Sequence, residues 1–137
     1  KRVLAIFQGP HSYISPTWYQ TSPAVPTWNY TAIHCYGTVS LVPVNELRTM
    51  MDSLVHKHEP TLQAQKDVMP KAFIEEKLKN IIGFKIEIEE FQAKEKLGQH
   101  RSQADQRGTL QGLINSQSSE SVALADYMLK VKKGTGA

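Results

Sequence analysis

The apolar positions of this chain change period along its length, and each change marks an expected element. Residues 3–7 form an unbroken apolar run suited to a buried strand, and Gln8-Gly9-Pro10 reads as its stop and turn. Residues 11–15 are then expected to pair back as a short antiparallel strand. A loop over residues 16–24 follows, interrupted by prolines, and then a long strand over about residues 25–42. Along that strand residues two apart share a face, which groups Ile33, Cys35, Val39 and Leu41 as an expected core side. The other side carries Trp28, Tyr30, Ala32, His34 and Tyr36, then Thr38 and Ser40. An aromatic surface of this kind suits a covering subunit or planar ligand, and it equally suits a sheet packed on both faces.

The period then becomes helical. Leu47, Met50, Met51, Leu54, Val55 and His58 form one stripe, with Asn45 the expected N-cap. Pro60 closes that helix, and residues 61–69 read as a loop. A second helix after Pro70 carries the stripe Ile74, Leu78, Ile81 and Ile82, ended by Gly83. From Phe84 the period returns to two, with Phe84, Ile86 and Ile88 alternating with Lys85, Glu87 and Glu89, the pattern of a half-buried strand. Ser102 with Asp105, and later Ser118 or Ser119, open two C-terminal helices over about residues 103–132, and the chain from Lys132 onward is expected to fray. This order of elements argues for an antiparallel sheet or barrel with helices segregated around it, mainly β or α+β in class, in one domain over residues 1–137.

The 137 residues carry a net charge of +3, a mildly basic balance that permits an anionic partner without identifying one. The apolar runs fall well short of the ~20 residues a membrane-spanning helix needs. Cys35 is the single cysteine, so no internal disulfide can form and a reducing, cytoplasmic setting is expected. Dinucleotide, P-loop, zincin and nucleophile-elbow signatures are absent from the sequence. His56 and His58, two apart on a helix, point in different directions and cannot share a metal. Lys94, Lys96, His100, Arg101 and Arg107 form a basic cluster that reads either as a solvated edge or as charge for a phosphate.

SPTWY at residues 15–19, VPTWNY at 25–30 with the following His34 and Gly37, GFKIEI at 83–88, and KLGQHR at 96–101 with Asp105-Gln106-Arg107 together resemble the PaiB family. That family comprises bacterial proteins with a flavin mononucleotide (FMN)-binding split barrel, named for a negative regulator of protease synthesis and sporulation. The resemblance implies a homodimer of antiparallel, Greek-key-like split β-barrels with peripheral and C-terminal helices and FMN at the subunit interface. It places Ser15, Trp18, Tyr19, Thr27, Trp28 and Asn29 near the ligand, with Lys96, Gln99 and Arg101 approaching from the later box. It assigns no catalytic residue and no metal. It also implies a cytoplasmic negative transcriptional regulator. DNA would be the target, although no stretch reads as a helix-turn-helix and the C-terminal helices lack a dense basic face. A flavin-dependent oxidoreductase of the split-barrel type is the alternative. Family members extend upstream of Lys1, so the chain is expected to begin inside a domain whose first strands precede it.

Overall fold

The computed structural model describes residues 1–137, leaving aside the side chain of Gln63. Three strands, β1 (Arg2–Ile14), β2 (Thr27–Leu41) and β3 (Phe84–Lys96), form a sheet in the order β1-β2-β3. Helices α1 (Val44–His58) and α2 (Lys71–Leu78) lie between β2 and β3 in sequence, and α3 (Gln103–Ile114) and α4 (Ser119–Val131) follow β3. Both strand pairs are antiparallel. Val39 N donates to Lys1 O at 3.0 Å while Gly9 lies against Thr31 farther along, and Val42 N donates to Gly83 O at 3.0 Å while Lys96 reaches Thr27. The fold is α+β, as the order of periods requires.

Several local expectations are corrected. Gln8-Gly9-Pro10 is not a turn, because β1 runs through it from Arg2 to Ile14. The strand pairing explains why: a Cβ on Gly9 would overlap the Thr31 hydroxyl, so glycine is there for close approach to β2. Pro10 is tolerated because β1 is an edge strand, and its carbonyl still accepts from Thr31 Oγ1 at 3.3 Å. Asn45 lies within α1, whose N-cap is Pro43. Helix α2 ends at Leu78, so Ile81 and Ile82 lie beyond it and are exposed. On β2 the side holding Cys35 is the more buried one, yet its other buried members are Asn29, Thr31 and Gly37, whereas Ile33 and Leu41 are exposed. Strand β3 is exposed along most of its length, including Phe84, Ile88 and Phe91.

The chain divides into two compact units. The first, Lys1–Val3 with Tyr36–Glu89, contains α1 and α2, and its buried apolar side chains are Leu47 and Leu78. Lys85 pairs with Glu46, and Arg48 with Glu75, on its surface. The second, Leu4–Cys35 with Glu90–Ala137, holds the main core of Ile14, Leu97, Leu113, Leu124, Ala125 and Met128, with Trp18, Tyr19, Leu110, Tyr127 and Val131 packed against it. Each fully buried large apolar side chain here contributes about 1.5–3 kcal/mol. The helices that supply this core start where the sequence places them. Ser102 Oγ accepts from Asp105 N at 3.2 Å, and Ser118 Oγ from Ser121 N at 3.4 Å.

The residues after α4 are held rather than frayed. Lys132 takes a left-handed C-cap conformation, and Gly134 and Gly136 are buried against the loop after β3 and the start of α3.

Candidate functional site

The pleat of β2 decides which candidate residues can act together. Thr27 and Asn29 share one face of the strand, and Trp28 projects from the other. Each side gathers a different set of neighbours within the second unit.

On the Thr27 side, Lys96 at the end of β3 donates from Nζ to Thr27 Oγ1 at 2.7 Å. Asn29 is buried, with 2% of its surface exposed, and its Nδ2 lies 3.6 Å from where a Cβ on Gly98 would stand. Gly98 has a φ of +74°, a conformation that carries the chain sharply out of β3. The turn it begins is closed by Gln99, whose Oε1 accepts from Leu97 N at 2.7 Å and whose Nε2 donates to Glu95 O at 2.8 Å. Arg101 N donates to Gly98 O at 2.9 Å, and its guanidinium lies over the Tyr19 ring, 4.4 Å from the centroid. Six of the nine candidates therefore meet around one loop. Lys96 and Arg101 supply charge, Thr27 a hydroxyl, Tyr19 a platform, Asn29 a buried amide beside the loop, and Gln99 the turn.

On the other side, Trp28 is 48% exposed and donates from Nε1 to His11 Nδ1 at 3.2 Å. Its ring stacks on His11 and meets Tyr13 edge-on. An indole N–H only donates, so His11 Nδ1 carries no proton in this arrangement. Trp18 and Trp28 line one cleft of about 410 Å³ with His11, Tyr13 and Glu120. Trp18 itself is held against α3, where Gly112 leaves room for its ring and Gly108 for its backbone. Ser15 caps the 3-10 turn Pro16–Trp18, accepting from Thr17 N at 3.2 Å. Trp18 and Trp28 thus form a second, aromatic group separate from the first, and Ser15 stands at the turn that leads into Trp18.

Two carboxylates outside the nine candidates hold this architecture together. Asp105 is 1% exposed and accepts from Gln20 N at 2.8 Å, Thr21 N at 3.0 Å and Thr21 Oγ1 at 2.6 Å. The Thr21 hydroxyl foremost, with the backbone N–H groups, holds its carboxyl below the usual aspartate range and ties the loop after Tyr19 to α3. Glu95 accepts from the Tyr127 hydroxyl and from Lys133 Nζ. Lys133, then Tyr127, lowers the Glu95 carboxyl, and that same bond raises the Tyr127 phenol. The capping motif at Ser102 was a signal for Asp105, whereas no local pattern marks Glu95.

Residues 1–90 match the family model described as "Putative FMN-binding domain". The chain is 39% identical to the Bacillus subtilis protein named "Protease synthase and sporulation protein PAI 2", over 96% of this chain and 64% of that protein. It is 34% identical to an uncharacterised protein of Emericella nidulans (82% of this chain, 52% of the relative) and 33% identical to one of Aspergillus fumigatus (80% and 51%). The chain thus spans 64% of the bacterial relative and about half of each fungal one.

Proposed function

We propose that this chain, which belongs to the putative FMN-binding domain family, binds FMN with the phosphate at the loop carrying Lys96, Gly98 and Arg101. The observation that carries this reading is the convergence of Lys96 on Thr27 and of Arg101 on Tyr19 around one turn. Two cations and a hydroxyl donor suit a phosphate, and the absence of a side chain on Gly98 leaves the loop backbone approachable. Gln99 fixes the loop and Asn29 lies buried beside it, while Ser15, Trp18 and Trp28, apart from the phosphate loop, stay in the proposed set, the half-exposed Trp28 offering an aromatic face. FMN, when bound, supplies redox chemistry, and this chain's part is to hold and orient it.

The proposed assembly is a cytoplasmic homodimer of split barrels, each chain a single domain, with the flavin at the interface. Exposed Leu4, Ile6, Phe84, Ile88 and Phe91 on the edge strands favour a covering partner. No helix among the described residues is long and apolar enough to cross a membrane. The name of the Bacillus relative supports a role in protease synthesis and sporulation, which we extend to negative control of transcription.

Titrating FMN against the protein while following flavin fluorescence tests the binding step. Saturable quenching that weakens in Arg101→Ala is expected, and unquenched flavin at all protein concentrations would refute the reading. Salt-dependent gel shifts test DNA contact, and bleaching of bound flavin by NADH or NADPH would instead favour an oxidoreductase.

A further inference from the structure

The loop that gathers Lys96, Gln99 and Arg101 is supported from behind by the segment after α4. Lys133 Nζ donates to Glu95, immediately before Lys96. Gly134 lies so close to Leu97 that a Cβ there would overlap its carbonyl oxygen and stand 3.1 Å from its carbonyl carbon. Gly136, with a φ of +75°, is bonded at both ends of its own peptide units. Its N–H donates to Gln106 Oε1 at 3.1 Å, and its carbonyl accepts from Arg107 Nη1 at 2.7 Å. The same Gln106 reaches the loop with its other amide atom, donating from Nε2 to Arg101 O at 2.8 Å and more weakly to Gln99 O at 3.4 Å. One side chain thus bridges the C-terminal segment and the loop backbone, using its acceptor for one and its donor for the other.

We propose that residues 133–136, acting through Gln106, are a strap that holds residues 97–101 in their anion-receiving shape, which makes Gln106 a positioning residue for the phosphate end of the ligand. The glycines are what allow the strap to lie so close. A side chain at position 136 would meet Arg107 Cγ at 2.7 Å and Arg107 N at 3.0 Å in a backbone conformation that disfavours anything but glycine. Loss of the Gln106 bridge frees the Arg101 carbonyl, and the guanidinium then no longer returns to one place over Tyr19. Supporting contacts of this kind decide how tightly a site holds its ligand even though they never touch it.

The ligand arm of the test rests on the FMN reading, and a second arm does not. Gln106→Leu should lower FMN affinity by roughly tenfold, the order found when outer partners of a binding site are removed. Riboflavin, which lacks the phosphate, should be bound as the wild-type protein binds it, so the preference for FMN over riboflavin collapses. Amide exchange measured without ligand should accelerate at Arg101 N–H, which bonds Gly98 O in the wild type, while the core of α4 keeps its protection. Arg107→Leu provides an independent cut of the strap should Gln106→Leu not fold. Wild-type protein that binds neither flavin would overturn the FMN reading, and the exchange result would still decide the strap. Unchanged Arg101 exchange with an unchanged flavin preference in a folded Gln106→Leu protein would overturn the strap.

Discussion

Replacing Gly112 with alanine sets two physical effects against each other, and the structure decides their balance. Glycine inside α3 is unfavourable by about 1 kcal/mol relative to alanine, so propensity alone predicts that Gly112→Ala stabilises the protein. The new methyl would, however, stand 2.6 Å from both Cε2 and Cγ of Trp18 and closer still to Cδ2. Carbon atoms prefer separations of about 3.5–4.0 Å, so the ring must retreat by roughly 1 Å. Trp18 is half-buried, and its packing against the buried core of Ile14, Leu97, Leu113, Leu124, Ala125 and Met128 limits that retreat. Overpacking a core costs about 1–3 kcal/mol, and a rigid ring held by a core belongs at the upper end. The net expectation is destabilisation by about 1–2 kcal/mol, or a fall in Tm of roughly 3–10 °C for a chain of this size. Urea unfolding followed by circular dichroism reads this as a lower midpoint with an unchanged slope. In a Trp18→Ala background the same substitution should change sign and stabilise, since its obstacle is gone. A raised Tm for Gly112→Ala in the wild-type background would refute the contact argument.

Other outcomes follow from the same contacts. Leu124→Ala, at a fully buried position in the second unit's core, should cost about 2–5 kcal/mol by denaturant titration. Asp105 has its folded carboxyl held below the ordinary value of ~3.9, so its stabilising contribution is complete above that value and is lost as pH falls through the lower folded value. Wild type should therefore lose more stability than Asp105→Asn when unfolding is compared between about pH 5 and pH 3. Cys35, a buried free thiol, should react with a thiol reagent only when the protein unfolds.

What could be read from the sequence was what short-range chemistry dictates. Ser102 and Ser118 cap their helices because a hydroxyl satisfies a nearby N–H whatever the rest of the fold does, and the alternation from Phe84 to Ile88 is a strand by period alone. Gly9-Pro10 was misleading because the local turn signal is overridden by pairing with Thr31, a partner remote in sequence. The docking of Gly134 and Gly136 was hidden for the same reason, since glycines near a chain end look flexible until Leu97 and Arg107 are placed beside them. For the candidate site, the PaiB-like motifs named the residues but not their grouping. Thr27 meets Lys96 through antiparallel pairing of β2 with β3, and only the period-two rule separates Trp28 from its neighbours Thr27 and Asn29.

The most direct test of the central claim is a calorimetric titration of the wild-type protein with FMN and, in parallel, with riboflavin. If the loop of Lys96 and Arg101 receives the phosphate, FMN should bind the more tightly, and Lys96→Ala should weaken FMN while leaving riboflavin unchanged. Equal affinity for the two flavins, or an FMN affinity untouched by Lys96→Ala, would contradict the assignment of this loop to the phosphate.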